Sequence, residues 1–140
     1  MSEEAITLGF VCVQNAGRSQ MATAFAERER SRRGLENTVH ILTGGTQPAE
    51  EVHPEVVEAM AEVDIDLSDR VPQKVSTTDL NNATIVATMG CSTLKLDADV
   101  EVRDWALDDP HGQSLEEVRR IRDEIQQRVS TLFDEYTSER

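Results

Sequence analysis

The residues best suited to covalent chemistry lie directly after the first apolar segment of the chain. Cys12 stands near the end of that segment, and Arg18 and Ser19 follow it in the pattern C-x5-R-S. The amide groups of such a tight loop can turn inward, and a helix that follows the loop directs the positive end of its dipole at the same point. These fields favour a thiolate over a thiol, so Cys12 is expected to be a nucleophile at neutral pH.

The other loop residues suit the binding of a tetrahedral oxyanion. Arg18 offers a planar fork for two oxygens, Ser19 can donate a hydrogen bond to the sulfur, and Asn15 tolerates left-handed backbone. The expected oxyanion-binding residues are Val13, Gln14, Asn15, Ala16, Gly17, Arg18 and Ser19. A single cysteine is more often a small buried residue, but the position of this pattern between a strand and a helix favours catalysis.

Alternating strands and helices are expected to hold this loop. The apolar segment 5–13 predicts a strand buried on both faces, and residues 19–33 predict a helix that ends at Gly34. Further strands are expected at 38–43, 83–89 and 100–105, a helix from Pro54, and a long amphipathic helix from Ser114. This alternation predicts an α/β fold with a parallel sheet between helices and a ligand site at the carboxyl ends of the strands. Residues 1–140 are expected to form one domain.

Composition narrows the classes of function. The chain has 14 Lys plus Arg against 27 Asp plus Glu, which gives a formal net charge of −13. Such a field repels nucleic acids and anionic membranes, so neither is expected as a partner. No apolar run reaches the roughly 18 residues of a membrane span, and the N-terminus is acidic, so a cytoplasmic location is expected. Abundant acids with almost no Lys also fit a surface adapted to high salt.

The cysteines and histidines do not predict a metal site. Cys12 and Cys91 cannot form a tetrahedral zinc site unaided, and His40, His53 and His111 show no metal-ligand spacing with them. A structural disulfide is a poor expectation for a cytoplasmic chain. The two cysteines are therefore expected to be small buried residues or reactive thiols, and the expected chemistry needs no metal or organic cofactor.

The stretch VCVQNAGRSQMA, which contains the C-x5-R-S pattern, resembles the active-site loop of the low-molecular-weight protein tyrosine phosphatases and of the thiol-linked arsenate reductases with the same fold. It is most similar to reductases that pass arsenate to a small-molecule thiol, such as the arsenate–mycothiol transferases. Gln14 and Gly17 depart from the commonest phosphatase loop, which has Gly and a second Cys there. The resemblance runs nearly end to end and implies a three-layer αβα sandwich with a central four-stranded parallel sheet.

The resemblance also implies a general acid. In the family, a mobile loop with Asp-Pro protonates the leaving oxygen, and the match places this role on Asp109, which precedes Pro110. Without the Cys12 loop, this Asp-Pro would be read as a turn. Asp108 is a weaker candidate because no Pro follows it. His111 could bind substrate or tune Asp109, but a lone His in a polar loop is more often solvated, and we expect solvation here.

Cys91 follows the third predicted strand, at the edge of the sheet where Cys12 is expected. Family members that relay electrons internally carry two cysteines near this place and pass a disulfide to thioredoxin, whereas this chain has one. Cys91 could resolve a thiol intermediate on Cys12 or be an inert buried residue, and both alternatives stay open. The single thiol favours an external low-molecular-weight thiol as co-substrate, with a glutaredoxin-like protein as a further candidate partner.

These features lead to three hypotheses about function. The first is a thiol-dependent arsenate reductase in which Cys12, Arg18 and Asp109 are catalytic. The second is a phosphatase that hydrolyses phosphotyrosine or aryl phosphates through a cysteinyl-phosphate. It ranks lower because His111 and Gly112 stand where aromatic residues usually follow Asp-Pro in phosphatases. The third is a binder of phosphate or arsenate without catalytic activity.

Overall fold

Strands and helices alternate in the computed structural model, which describes residues 5–89 and 100–137. Their bounds are β1 (Ile6–Cys12), α1 (Arg18–Arg32), β2 (Val39–Gly45), α2 (Pro54–Ala61), α3 (Thr77–Leu80), β3 (Ile85–Met89), β4 (Glu101–Asp104) and α4 (Leu115–Thr137). Each predicted strand and helix is present, with shifts of a few residues at the ends.

The strands of the described residues form one parallel sheet in the spatial order β2-β1-β3-β4. β1 lies inside the sheet, and all but one of its side chains are buried. Its register pairs Cys12 with Gly45 of β2 and with Met89 of β3. Since parallel strands end at the same edge of a sheet, Cys12 lies at the carboxyl edge between two neighbouring strand ends.

The sheet has a large core on one face and a smaller one on the other. The larger core packs α1, α2 and α4 on alternate residues of the strands, among them Phe10 and Ala87. The smaller core gathers Leu80 of α3 with Val11 and Val86, which point to the opposite face. The sheet therefore lies between two layers, as the α/β prediction requires.

The helices bury the faces that their apolar spacing predicts. In α1, Met21 and Phe25 are buried. The helix ends at Arg32, and Gly34 shortly after it has a φ of 68°, which glycine adopts easily. The apolar side chains of α4 at spacings of three and four residues pack on the core, and Phe133 joins them. Packing of these faces is the main source of helix stability in a folded domain.

Some details differ from the sequence prediction. β2 continues to Gly45 because its pairing with β1 extends that far. In β4 the apolar Val102 is 48% exposed, because β4 is an edge strand and only the flanking Val100 and Trp105 are buried. The short polar α3, which Ser76 caps, is not predicted by apolar periodicity.

Among residues 5–89 and 100–137, no helix combines the length and the apolar character needed to cross a membrane.

Candidate active site

Cys12 is the final residue of β1, and its side chain is 3% exposed. The sulfur accepts a hydrogen bond from the main-chain N–H of Asn15 at 3.2 Å and lies 2.8 Å from Ser19 Oγ. The first contact comes from the loop after β1, and the second from the first turn of α1. Donors that point at a sulfur stabilise its charged form, because a thiolate accepts hydrogen bonds more strongly than a thiol.

The side chain of Asn15 holds the Ser19 hydroxyl beside the Cys12 sulfur. The amide oxygen of Asn15 accepts the main-chain N–H of Gln73 at 3.0 Å, which fixes the orientation of the amide. Its nitrogen therefore donates to Ser19 Oγ at 2.7 Å and to Thr43 Oγ1 at 3.0 Å. Ser19 Oγ thus accepts from Asn15, and its one hydroxyl hydrogen can be donated to the Cys12 sulfur, which is the direction that a thiolate requires.

The loop after β1 has the left-handed turn that the sequence predicts. Asn15 is fully buried with a φ of 52°, and its side chain also accepts from Gln20 Nε2 at 3.1 Å. Gly45 of the neighbouring strand makes room for the loop, since a Cβ atom there would lie 2.5 Å from the Val13 carbonyl oxygen. The loop is thus held by contacts from three separate parts of the chain.

The main-chain groups of the loop face different partners. The carbonyls of Val13 and Gln14 accept hydrogen bonds from the main-chain N–H groups of segment 47–49, at 2.8 and 3.0 Å. Within the described part of the chain, the N–H groups of Gln14, Ala16 and Gly17 have no acceptor. These N–H groups remain available as donors to an anion.

Arg18 is the first residue of α1 and connects the Cys12 loop to the segment before α4. Its side chain is 13% exposed, and its Nη1 donates to the carbonyl oxygen of Leu107 at 3.0 Å. Its Nη2 lies 4.0 Å from Asp109 Oδ2. A guanidinium held in this way presents a fixed positive charge and several donors to the same space as Asp109.

The two neighbouring aspartates have different environments. Asp108 forms an exposed ion pair with Arg120 of α4 at 2.9 Å, whereas Asp109 faces Arg18. Asp109 is 59% exposed, and its Oδ1 accepts the main-chain N–H of His111 at 3.0 Å. Of the two, Asp109 is therefore the carboxylate at the cavity.

A cavity of about 300 Å³ joins these groups. Its lining residues are Cys12, Val13, Gln14, Gly17, Arg18, His53 and Asp109. The remaining predicted loop residues, Asn15, Ala16 and Ser19, are buried. The cavity is large enough for a small oxyanion, with a sulfur, a guanidinium and a carboxylate on its walls.

His53 is a residue of the cavity wall that the sequence analysis missed. It precedes α2, and its ring stacks on the ring of His111 with centroids 4.3 Å apart and an angle of 15° between the planes. Burial lowers the pKa of His53 and the neighbouring His111 lowers it further, although Glu55 and Asp109 act in the opposite direction. His111 is exposed, as expected, and its ring also has a stacking partner that the sequence did not predict.

Trp105 packs directly after β4, with its ring centroid 6.0 Å from that of Phe10. Cys91 lies outside the described residues. Residues 5–89 and 100–137 contain no cluster of three or more His, Cys, Asp or Glu side chains that could hold a metal ion.

Comparison with known proteins agrees with this geometry. Residues 7–140 match the family described as low molecular weight phosphotyrosine protein phosphatase. The chain belongs to this family. The resemblance based on the loop after β1 is thereby confirmed, and so is the fold that it implies.

Relatives within this family include proteins named as arsenate reductases. A Halobacterium salinarum protein named "Putative arsenate reductase" is 67% identical over 138 residues, which cover 97% of each chain. A thioredoxin-dependent arsenate reductase from Corynebacterium glutamicum has a TM-score of 0.80 at 27% identity, and the match covers all of this chain and 66% of that one. A structure described as an arsenate reductase in the phosphate binding state has a TM-score of 0.78 at 28% identity, over 93% of this chain and 98% of that one.

Proposed function

We propose that this chain is an arsenate reductase that uses Cys12 as nucleophile and an external thiol as reductant. The observation that carries the proposal is the convergence of the buried Cys12 sulfur, Arg18 and Asp109 on one cavity. The 67% identity to the Halobacterium salinarum relative favours arsenate as the substrate, since that protein is named for this activity.

The first step is an attack of sulfur on arsenic. The N–H groups of the loop and the guanidinium of Arg18 bind the oxygens of arsenate, and the Cys12 thiolate approaches the arsenic atom. A sulfur–arsenic bond forms while one arsenic–oxygen bond breaks. Asp109 gives its proton to the departing oxygen, which leaves as water. A positioned acid of this kind accelerates such steps by about 10²–10⁴-fold.

The second step reduces arsenic with electrons from thiols. A reductant thiolate attacks the Cys12 sulfur, and the sulfur–arsenic bond breaks with its electron pair left on arsenic, which goes from As(V) to As(III). The mixed disulfide on Cys12 is then resolved by a second thiol, which restores Cys12. In the alternative route, the first thiol attacks arsenic and takes it from Cys12, and the reduction follows in a later thiol–disulfide step. Both routes consume two thiols for each arsenate.

The reductant that we propose is a low-molecular-weight thiol, with a glutaredoxin-like protein as a second candidate. This proposal is supported by the single additional cysteine of the sequence, Cys91, because an internal relay with thioredoxin would use two. Substitution Cys91→Ser separates the alternatives for this residue. Unchanged turnover with a small thiol is expected if Cys91 is inert, whereas a Cys12–Cys91 disulfide found by mass spectrometry in the unsubstituted protein would indicate an internal relay.

A phosphatase is the second candidate function. It is favoured by the family description and by the same three groups, because Cys12 could form a cysteinyl-phosphate that water hydrolyses with Asp109 as base. One observation argues against a phosphatase. Aromatic residues usually follow Asp-Pro in phosphatases, but here His111 follows Asp109-Pro110, and its ring is stacked on His53.

The deciding experiment measures both activities of the purified protein. Arsenite formation from arsenate is followed with and without small thiols, a glutaredoxin system and a thioredoxin system, beside hydrolysis of p-nitrophenyl phosphate. We expect arsenite formation that requires thiol and exceeds the phosphatase activity. Fast phosphatase turnover without thiol-dependent loss of arsenate would support the second candidate. Binding of arsenate with neither activity would support an oxyanion binder.

The site of action that we propose is the cytoplasm, where low-molecular-weight thiols are kept reduced. The role that follows is arsenic resistance, and a strain without the gene is expected to grow more poorly on arsenate. The excess of acidic residues, with a net charge of −13, further suggests adaptation to high salt.

A further inference from the structure

The start of α2 contacts both loops that form the cavity. The main-chain N–H of His53 donates to the carbonyl oxygen of Ala16 in the Cys12 loop at 2.9 Å. The ring of the same residue stacks on His111, and Glu55 Oε2 accepts the main-chain N–H of Gly112 at 2.7 Å. The segment 107–113, which we call the acid loop, is thus connected to the Cys12 loop through two residues at the start of α2, the N-cap His53 and Glu55.

Other contacts of the acid loop include the packing of Leu107 against the core and the exposed ion pair between Asp108 and Arg120. The loop contains no helix or strand, and its residues Asp109, His111 and Gly112 are exposed. Pro110 is buried next to Gly17, where a Cβ atom would lie 3.0 Å from Pro110 Cγ. Arg18 also holds the loop through Leu107, but an oxyanion in the cavity competes for the same guanidinium. The contacts to α2 do not compete with substrate.

We propose that His53 and Glu55 are positioning residues that hold the acid loop so that Asp109 faces the cavity of Cys12. This inference rests on the proposed function, because it assigns to Asp109 the role of general acid. His53 acts through the stacked ring of His111, which lies two residues after Asp109. Glu55 acts through the N–H of Gly112, one residue further along.

The charge states of the two residues suit this role. His53 is favoured in its neutral form by burial and by the neighbouring His111, and a neutral ring avoids repulsion in the stacked pair. Burial raises the pKa of Glu55, but hydrogen bonds from its own N–H and from that of Gly112, together with the two imidazoles, outweigh this and hold the pKa below its ordinary value. The charged carboxylate is a strong acceptor for Gly112.

A double-mutant cycle tests whether His53 acts through Asp109. His53→Ala is expected to lower kcat for thiol-dependent arsenite formation by about 10–100-fold, with a KM for arsenate that changes less than about threefold, since misplacing a catalytic group can cost about a hundredfold. In an Asp109→Asn background the same change is expected to lower kcat less than about twofold.

His53→Phe, which keeps a stacking ring, is expected to restore most of the activity. His40→Ala, an exposed histidine on β2, is the matched control. Equal losses in both backgrounds, or no rescue by phenylalanine, would overturn the proposal.

Hydrogen exchange measures the position of the loop without reference to catalysis. His53→Ala and Glu55→Ala are each expected to raise amide exchange in segment 107–113 at least fivefold over the unsubstituted protein, while His40→Ala leaves it unchanged. Exchange in this segment that does not respond to either substitution would refute the positioning role, even in an active reductase. If the unsubstituted protein forms no arsenite, the proposed function fails, and exchange alone then decides whether these residues hold the loop.

Discussion

At the scale of single residues, the chemistry depends on the polar contacts of one sulfur. The C-x5-R-S pattern identified Cys12, Arg18 and Ser19 from the sequence because their spacing is local. In the structure Cys12 and Arg18 line the cavity, and Ser19 is buried beside the Cys12 sulfur. His53 could not be found in this way, because its place at the cavity depends on the packing of α2 against a loop about 55 residues further along the chain. Its only sequence signal is that it immediately precedes Pro54 at the start of a predicted helix.

Ser19→Ala tests the hydrogen bond to the sulfur. Loss of the hydroxyl donor is expected to slow alkylation of Cys12 by iodoacetamide at pH 7 about tenfold, because a hydrogen bond to a charged group contributes about 1.5–3 kcal/mol. The rates of the variant and the unsubstituted protein should converge at high pH, where the thiolate forms in both. Mass spectrometry of the Cys12 peptide gives the rate at this residue, and Ser31→Ala, exposed on the same helix, serves as the control. Equal rates at pH 7 would show that Ser19 does not donate to the sulfur.

Asn15→Ala tests the network beneath the loop. This change removes four side-chain hydrogen bonds and leaves Ala with a positive φ, so we expect a loss of about 2–4 kcal/mol in the free energy of unfolding. Urea unfolding measures this loss. Asn15→Gly relieves the backbone strain alone and is expected to recover about 1 kcal/mol. A variant as stable as the unsubstituted protein would contradict the importance of the network.

At the scale of helices and strands, apolar periodicity was sufficient to predict the major elements and the parallel sheet. The buried run of β1 and the stripe along α4 predict their burial directly. Boundaries and edges were harder, because they depend on pairing and on neighbouring elements rather than on local sequence. β4 illustrates this, since its apolar Val102 lies on an exposed edge. Apolar periodicity also does not predict the polar contacts between helices.

Glu62 and its partners on α4 provide a pH-dependent test at this scale. Arg119 and Arg122 donate to Glu62 at 2.7 and 2.9 Å. Hydrogen bonds from Arg119, followed by those from Arg122, lower the pKa of Glu62 to about 2 from an ordinary value of 4.5, against the opposing effect of desolvation. The resulting stabilisation is present above pH 4.5 and is lost as the pH falls through about 2.

Glu62→Gln should therefore have a lower urea midpoint than the unsubstituted protein at pH 7. The difference between the two midpoints should become progressively smaller as the pH falls below 4.5. The measurement is a series of unfolding curves between pH 7 and pH 2 for both proteins. Glu36→Gln, an exposed position between α1 and β2, is the control. A difference between the proteins that does not change with pH would show that the ion pairs do not contribute through the charge of Glu62.

At the scale of the whole molecule, the net charge of −13 sets the response to salt. Repulsion among the acidic groups opposes folding, and screening shortens its range from about 10 Å at 0.1 M salt to about 3 Å at 1 M. We expect Tm to rise between 0.1 and 2 M KCl, and to rise similarly in NaCl. Calorimetry or circular dichroism provides the measurement. A Tm that is unchanged over this range would contradict adaptation to high salt.

The central claim about the molecule is that the Cys12 sulfur carries out the reduction of arsenate. Its most direct test is the rate of thiol-dependent arsenite formation by Cys12→Ser, compared with the unsubstituted protein at equal concentration after circular dichroism has shown that both are folded. A hydroxyl is a far weaker nucleophile than a thiolate and cannot form the disulfide, so the predicted rate for the variant equals that of thiol and arsenate without protein. Arsenite formation by Cys12→Ser at a rate close to that of the unsubstituted protein would contradict the claim.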